Sequence, residues 1–169
     1  MASTRREADV RSFPLLVYVL VPALALGLQS LVSLHFPRFA MLDLPLMVVI
    51  YFAMTQRHPV AATIGGALMG IAQDALTRQP IGVFGICKAA IGYLAASLGV
   101  RIDTDSHGTR LLLTCLFMLL HNAIDWVLVR HLLAQPMAWN WVRELIRAVI
   151  NALLAVVIFA LLDKVRARE

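Results

Sequence analysis

The sequence predicts an all-α integral membrane protein with six transmembrane helices. Of its 169 residues, 60% are hydrophobic and only 15% are charged. A typical soluble domain is roughly 45–50% apolar and about 25% charged. A soluble domain of this size buries only about two-thirds of its surface, so it could not hide so many apolar side chains from water. Apolar runs also recur along the whole chain between short polar breaks, which indicates repeated membrane crossings.

Most of these apolar runs reach the roughly 20 residues that a helix needs to cross a bilayer. Helices are expected because backbone polar groups in lipid must be hydrogen-bonded within their own segment. The predicted spans are residues 13–34, 40–55, 59–77, 81–100, 110–132 and 141–163. They form one transmembrane domain over residues 13–163, with short tails at 1–12 and 164–169.

Each break between spans carries a local stop signal. The second span is short and holds Pro45 near its start, which predicts a tilted or partly broken helix. Pro59 suits the first turn of the third span. The breaks are Phe36-Pro37-Arg38, Gln56-Arg57-His58-Pro59, Gln79-Pro80, the loop from Arg101 to Gly108, and Gln135-Pro136.

Basic residues cluster at the borders of the apolar runs, which is typical of a membrane protein and argues against a nucleic-acid partner for this +5 chain. Lys88 is left within a span, and Arg143 and Arg147 also fall inside the predicted bounds of the last one. With the N-terminus in the cytoplasm, that side receives Arg5, Arg6, Arg11, Arg57, Arg101, Arg110, Lys164, Arg166 and Arg168. The other side receives at most Arg38, Arg78, Arg130, Arg143 and Arg147. The excess predicts that both termini are cytoplasmic.

The sequence disfavours a cleaved signal peptide, a cysteine-based site and a catalytic motif. The first apolar stretch follows Arg5-Arg6 like a signal peptide, but it exceeds the usual 7–15 apolar residues, which favours an uncleaved helix. Cys87 and Cys115 lie inside apolar runs, so neither a disulfide framework nor a thiolate zinc site is expected. No nucleotide-binding, serine-hydrolase or zinc-protease motif occurs. We therefore expect no catalytic residues, no metal and no cofactor.

Small residues form a seam along one face of each of the third and fourth spans. Such seams allow the backbones of two helices to approach closely in lipid. In the third span the seam is Ala62, Gly66, Gly70 and Asp74, spaced four apart. In the fourth it is Gly85, Ala89, Gly92, Ala96 and Gly99, spaced by four and three.

Asp74 and Lys88 are charged groups at similar depth on these two antiparallel spans. A charge inside a bilayer costs several kcal/mol unless it has a partner or a wet cavity. One interpretation is that Asp74 and Lys88 lie close together between the helices. The other is that Asp74 caps a helix end near water while Lys88 extends to the interface.

A second polar group, on the outer side, spans the last two helices. Its members are His121, Asn122 and Asp125 on the fifth span, and Arg143, Glu144, Arg147 and Asn151 on the sixth. Asp125 and Arg147 fall at similar depth, which predicts an interhelical ion pair. His121 and Asp125 could also suggest a proton relay or a metal site, but no third ligand stands at motif spacing. Structural polar contacts are therefore favoured, and Trp126, Trp139 and Trp141 mark the membrane interface.

The segment Gly70-Ile71-Ala72-Gln73-Asp74-Ala75-Leu76, followed by Pro80-Ile81-Gly82, resembles the MreD family of bacterial rod-shape proteins. These are small multi-helix inner-membrane proteins with a central Gly-x-x-x-Asp segment and a Pro/Leu-x-Gly turn. Chain length, span number, short tails and a basic C-terminus are also similar. The resemblance implies a helical arrangement like that of the substrate-binding subunits of energy-coupling-factor vitamin transporters. The polar group on the last two helices has no match in the family pattern.

The resemblance implies a non-enzymatic scaffold of the cell-elongation machinery in the bacterial inner membrane. Its partners would be MreC, RodA with its penicillin-binding transpeptidase, and MreB, besides the lipid bilayer. The residues expected at helix packing or partner interfaces are Gly66, Gly70, Asp74, Pro80, Gly82, Gly85, Lys88, Gly92 and Gly99. The alternatives are a vitamin-binding transporter subunit with an outer pocket and, less favoured, an intramembrane enzyme.

Overall fold

The computed structural model describes residues 15–35, 41–102 and 106–166. Within these ranges the chain is helical and contains no strand, which confirms the predicted all-α class. The helices are α1 (Leu15–His35), α2 (Leu44–Gln56), α3 (Pro59–Thr77), α4 (Val83–Gly99), α5 (His107–Val127) and α6 (Trp141–Arg166). A π-helical segment, Leu128–Leu132, extends α5.

Several sequence predictions fall outside the described residues. These are the N-terminal tail, the break Phe36-Pro37-Arg38, the middle of the loop after Arg101, and Arg168. The C-terminal boundary differs from the prediction, because α6 continues to Arg166 instead of ending at 163.

Four helices are long and apolar enough to cross a membrane: α1, α3, α5 with its π-helical extension, and α6. The other two are shorter, with 13 residues in α2 and 17 in α4. At 1.5 Å per residue, α2 is only about 20 Å long, whereas the hydrocarbon core of a bilayer is about 30 Å thick. The prediction of six membrane-spanning helices is therefore supported for four of them.

Helix α2 lies in the interior of the bundle. Nine of its 13 residues, from Pro45 to Met54, are buried, as expected for a helix that is apolar on every side. Of the two forms expected for this span, tilted or partly broken at Pro45, the broken helix is wrong, because α2 is continuous from Leu44 to Gln56. This proline lies in the first turn, where its missing N–H has no helical partner to lose. The helix ends at Gln56, where Arg57 adopts a left-handed conformation with φ 55°.

Successive helices run in opposite directions, so residues at matching depth lie side by side. We call the end where α1 begins and α6 ends the termini end, and the other the distal end. The pairs that establish the directions are Gln29 with Leu44, Asp43 with Lys88, Met54 with Gly99, Ala62 with Gly92, Lys88 with His121, Arg110 with Asp163, and Asn122 with Glu144.

The closest helix contact joins α3 to α4 through three glycines. A Cβ atom on Gly66 would overlap the carbonyl of Lys88, one on Gly70 that of Phe84, and one on Gly92 that of Ala62. Each neighbouring atom belongs to the backbone, which cannot yield as a flexible side chain would. The two seams found in the sequence therefore meet each other.

The two ends of the α4 seam have further neighbours. A Cβ atom on Gly99 would lie 2.9 Å from the carbonyl oxygen of Met54 in α2. One on Gly85 would lie 2.9 Å from a side-chain carbon of Ile71 in α3. Helix α4 thus packs on α3 along its length and on α2 near the termini end.

Gly65 and Gly66 provide a matched test of this contact. We expect Gly66→Ala to lower stability by about 1–3 kcal/mol, because the added methyl group forces α3 away from α4. A Cβ atom on Gly65 meets nothing within 4 Å. Gly65→Ala should therefore stabilise the helix by roughly 0.5–1 kcal/mol. Melting temperatures of the two purified variants in detergent measure the difference, and equal shifts would contradict the packing.

Candidate functional site

A buried ion pair lies in the distal half of the bundle. The Lys88 ammonium is 2.6 Å from Oδ2 of Asp43, and the Lys88 side chain is fully buried. Its Nζ also lies 3.4 Å from Nε2 of His121 and 4.9 Å from the ring centroid of Phe84. The pair therefore links α4 to the start of α2 and to α5. This arrangement satisfies a charge that would otherwise be exposed to a medium of low polarity.

Asp43 holds this position because the segment before α2 is hydrogen-bonded to two other helices. We call this segment, residues 41–44, the α2 entry segment. Gln29 of α1 binds its backbone twice, at 2.9 and 3.1 Å. Asn151 of α6 also binds it twice, at 3.0 and 2.9 Å. Oδ1 of Asp43 accepts the Leu46 N–H at 3.0 Å, so the carboxylate caps α2 as well as pairing with Lys88.

A second polar cluster is centred on Glu144, whose side chain is only 2% exposed. Its carboxylate accepts hydrogen bonds from Asn122 at 3.0 Å, Arg143 at 3.0 Å and Arg147 at 3.2 Å. Arg147 thus forms its direct ion pair with Glu144 and not with Asp125, although the Asp125 and Arg147 charges are close enough to attract each other between α5 and α6. Glu144 lies one turn before Arg147 on the same helix and binds its guanidinium instead.

The predicted pairing of Asp74 with Lys88 is also wrong. The Asp74 carboxylate is buried at the end of α3 and accepts the backbone N–H groups of Gly82 at 2.8 Å and Phe84 at 3.3 Å. The first N–H groups of a helix have no intrahelical partner, so a carboxylate placed there stabilises the start of α4. The alternative interpretation was right that Asp74 caps a helix, whereas Lys88 is buried and does not extend to the interface.

The turn between α3 and α4 depends on two of the predicted motif residues. The carbonyl of Pro80 accepts the Val83 N–H at 3.4 Å. Gly82 adopts φ +103°, a conformation that other residues rarely adopt. The Gly-x-x-x-Asp segment and the Pro-x-Gly turn thus form one unit, in which Gly70 allows close approach and Asp74 binds the turn.

Sequence reasoning missed several residues of these clusters. Asp43 and Gln29 were not singled out, although an acid directly before Leu44-Pro45 is a recognisable helix-start signal. A third contact, near the termini end, was missed as well. There Tyr51 donates to Asp163 at 2.8 Å, and Arg110 pairs with the same carboxylate.

The arrangement contains internal contacts and no set of metal ligands. No group of three or more His, Cys, Asp or Glu residues that could hold a metal ion occurs among the described residues. The predicted aromatic residues lie together at the distal end, with ring centroids 5.8 Å apart for Trp126 and Trp139, and 5.2 Å apart for Trp139 and Trp141.

A sequence model of one family, described as rod shape-determining protein MreD, matches residues 10–165. The chain belongs to the MreD family. The match extends over nearly the whole chain, which confirms the resemblance found in the segment from Gly70 to Gly82. This MreD protein is therefore a membrane protein with a role in rod-shape determination. No curated protein and no solved structure matches the chain, so the likeness to vitamin-transporter subunits stays a prediction.

Lys88→Met removes one partner of the buried ion pair. We expect a loss of about 3–5 kcal/mol, because Asp43 is left charged and buried without its counter-ion. Adding Asp43→Asn should restore most of this stability, since the amide removes the charge and keeps an oxygen for the α2 cap. Melting temperatures of the single and double variants in detergent test this expectation, and Lys164→Met, at an exposed lysine, is the control. A double variant no more stable than Lys88→Met would contradict the pairing.

Asp74→Ala and Asp74→Asn test the cap on α4. We expect the alanine variant to lose about 1–2 kcal/mol and the asparagine variant distinctly less, because asparagine also accepts backbone hydrogen bonds. If Asp74 were instead a counter-ion of Lys88, the two variants would lose stability equally. The same melting experiment distinguishes the two cases.

Proposed function

We propose that this MreD protein is a non-catalytic scaffold of the cell-elongation machinery in the bacterial inner membrane. Membership of the family supports the connection with rod shape. The observation that carries the proposal is the use of the buried polar groups. Lys88 and Glu144 each bind partners from neighbouring helices, so these side chains hold the bundle together. Groups engaged in this way are structural and leave the helix faces to bind other proteins.

Partner binding through helix faces fits the shape of the described chain. Only short segments separate α2 from α3 and α3 from α4, so these connections offer little surface outside the membrane. In contrast, α1 is only 11% buried over its apolar window, and α6 exposes many large apolar side chains. The proposed partners are MreC, RodA with its penicillin-binding transpeptidase, and MreB. Helix packing would dominate contacts with the membrane-embedded partners.

The proposed orientation places both chain termini in the cytoplasm. Arg57, Arg101, Arg110 and Lys164 lie at the termini end of the bundle. The distal end carries Arg78, Arg130, Arg143 and Arg147. Each end also has a carboxylate bound to its arginines, Glu144 to Arg143 and Arg147 at the distal end and Asp163 to Arg110 at the termini end. The described residues carry four basic side chains at each end, so the expected cytoplasmic excess at the termini end depends on the basic residues that the sequence has in its two tails.

The structure gives no specific support to the transporter alternative. A vitamin-binding subunit would need polar groups that are free to face an outer pocket. In this protein Asn122, Arg143 and Arg147 all donate to Glu144, and Asn151 is bound to the α2 entry segment. This leaves Nε of Arg147 and Nε1 of Trp139 as buried side-chain nitrogens of this region without a hydrogen-bond partner among the described residues.

The double variant Lys88→Met/Asp43→Asn separates a structural role from a chemical one in cells. In a rod-shaped host depleted of its own MreD, we expect the wild-type chain and the double variant to restore rods and to co-purify MreC. Lys88→Met alone should give rounded cells in proportion to its reduced amount. Immunoblotting measures the amount, and microscopy measures cell width.

Two outcomes would contradict the proposal. Depleted cells that stay rods of normal width would argue against any role in shape. Round cells containing normal amounts of the double variant, with MreC still co-purifying, would show that the ion pair does more than hold the helices together.

A further inference from the structure

An open apolar groove runs between α1 and α3 from near the termini end to just past the middle of the bundle. Helix α2 forms its floor, and its volume is about 500 Å³. We call it the α1–α3 groove and define it by Ala23, Phe52, Gln56, Ala61, Gly65 and Ala72. Known ligand pockets have volumes of about 300–1,000 Å³, so the groove is large enough for a molecule or a substantial part of one.

The groove exists because α3 presents small residues to it. The backbone of α4 fills the space beside Gly66, whereas a Cβ atom on the neighbouring Gly65 would meet nothing within 4 Å. Ala61 and Ala72 also leave space above the floor. Apolar side chains that line an empty groove have no atoms opposite them and so forgo van der Waals contacts. In a bilayer such a surface therefore favours an apolar occupant.

The length of the groove indicates an acyl chain. From Ala61 to Ala72 the helix rises eleven residues, or roughly 16 Å. This is close to half of the roughly 30 Å hydrocarbon core, which is the depth of one leaflet. A partner transmembrane helix would need a matching face over the full thickness of the core. The groove therefore fits one lipid tail better than it fits a spanning helix.

An exposed basic residue directly follows the groove lining at the termini end. Gln56 lines the groove at the termini end, and Arg57 follows it directly at the exposed turn into α3. The Arg57 N–H donates to the carbonyl of Ala53, another lining residue, at 3.1 Å, which fixes the turn beside the groove. The guanidinium forms no ion pair with another described residue. Guanidinium groups bind phosphate with two parallel hydrogen bonds.

We propose that the α1–α3 groove binds one phospholipid of the leaflet at the termini end, with an acyl chain against Gly65 and the phosphate at Arg57. An anionic headgroup suits the site because Arg57 is its nearest charged side chain along the chain. The site does not depend on the proposed scaffold role, since it rests only on the shape and charge of this surface.

Gly65→Leu tests the tail site, because the new side chain fills the groove. Gly27→Leu is its matched control: Gly27 is also exposed in open space, but it does not line the groove. Native mass spectrometry of protein purified in mild detergent counts the retained phospholipids. We expect one on the wild type and on Gly27→Leu, and a several-fold lower fraction on Gly65→Leu. Equal retention by the two leucine variants would overturn the proposal.

Arg57→Asn tests the headgroup site, with Arg78→Asn as its control. Both arginines are exposed, end a helix and adopt the left-handed conformation, with φ 55° and 56°, but they lie at opposite ends of α3. Asparagine tolerates this conformation. Phosphatidylglycerol added in micelles should raise the melting temperatures of the wild type and of Arg78→Asn. The increase for Arg57→Asn should be distinctly smaller.

These arginine variants keep the proposal testable even if Gly65→Leu fails to fold. The same effect of phosphatidylglycerol on both arginine variants would overturn the headgroup assignment. The lipid site as a whole would be overturned if the wild-type protein retained no phospholipid. It would also be overturned if a Gly65→Cys variant were crosslinked in cells to a partner's transmembrane helix.

Discussion

The buried ion pair between Lys88 and Asp43 connects the whole distal half of this bundle. An unpaired charge at this depth costs several kcal/mol, so the fold requires a carboxylate at one particular place. Each of the six described helices helps to form this pair. Gln29 from α1 and Asn151 from α6 hold the α2 entry segment, which carries Asp43. Gly66 of α3 contacts the Lys88 backbone in α4, and His121 of α5 lies beside the ammonium. Close packing and polar pairing therefore depend on each other, because the glycine seam sets where the lysine side chain begins.

The same pair explains how a helix too short for the bilayer can belong to a membrane protein. Lipid offers no hydrogen-bond partners, so the backbone groups at a buried helix end must be satisfied by the protein. Asp43 does this at the start of α2 while neutralising Lys88, and the left-handed Arg57 closes the other end. Because α2 occupies the interior, contact with lipid and with partner proteins falls mainly to the longer helices around it.

The helices could be predicted from the sequence, but their polar partners could not. The six apolar runs gave helices within a few residues of those observed, because span length and small-residue periodicity are properties of one segment at a time. The depth of a residue along its helix could also be predicted, which is why Asp74 and Lys88 were correctly placed near the same end of the bundle. Choosing partners requires knowing which helix lies across from a given face. Asp43 is 45 positions away from Lys88, and no local pattern links them.

Asp74 and Arg147 both form their direct contacts with partners other than the predicted ones, for a shared physical reason that bears on function. In both cases a nearer partner was available: the free N–H groups of the α3–α4 turn for Asp74, and Glu144 for Arg147. Helices in lipid lack a hydrophobic drive to associate, so a bundle satisfies its polar groups within itself wherever short-range partners exist. The charged groups Lys88, Asp74 and Glu144 of the distal half are bound in this way, whereas buried atoms of Gln73, Trp139 and Arg147 have no hydrogen-bond partner among the described residues. Selective contact with another molecule must then come from the shape of the apolar faces. That shape is most distinctive at the α1–α3 groove, because the space beside Gly65 is open whereas the space beside Gly66 is occupied by α4.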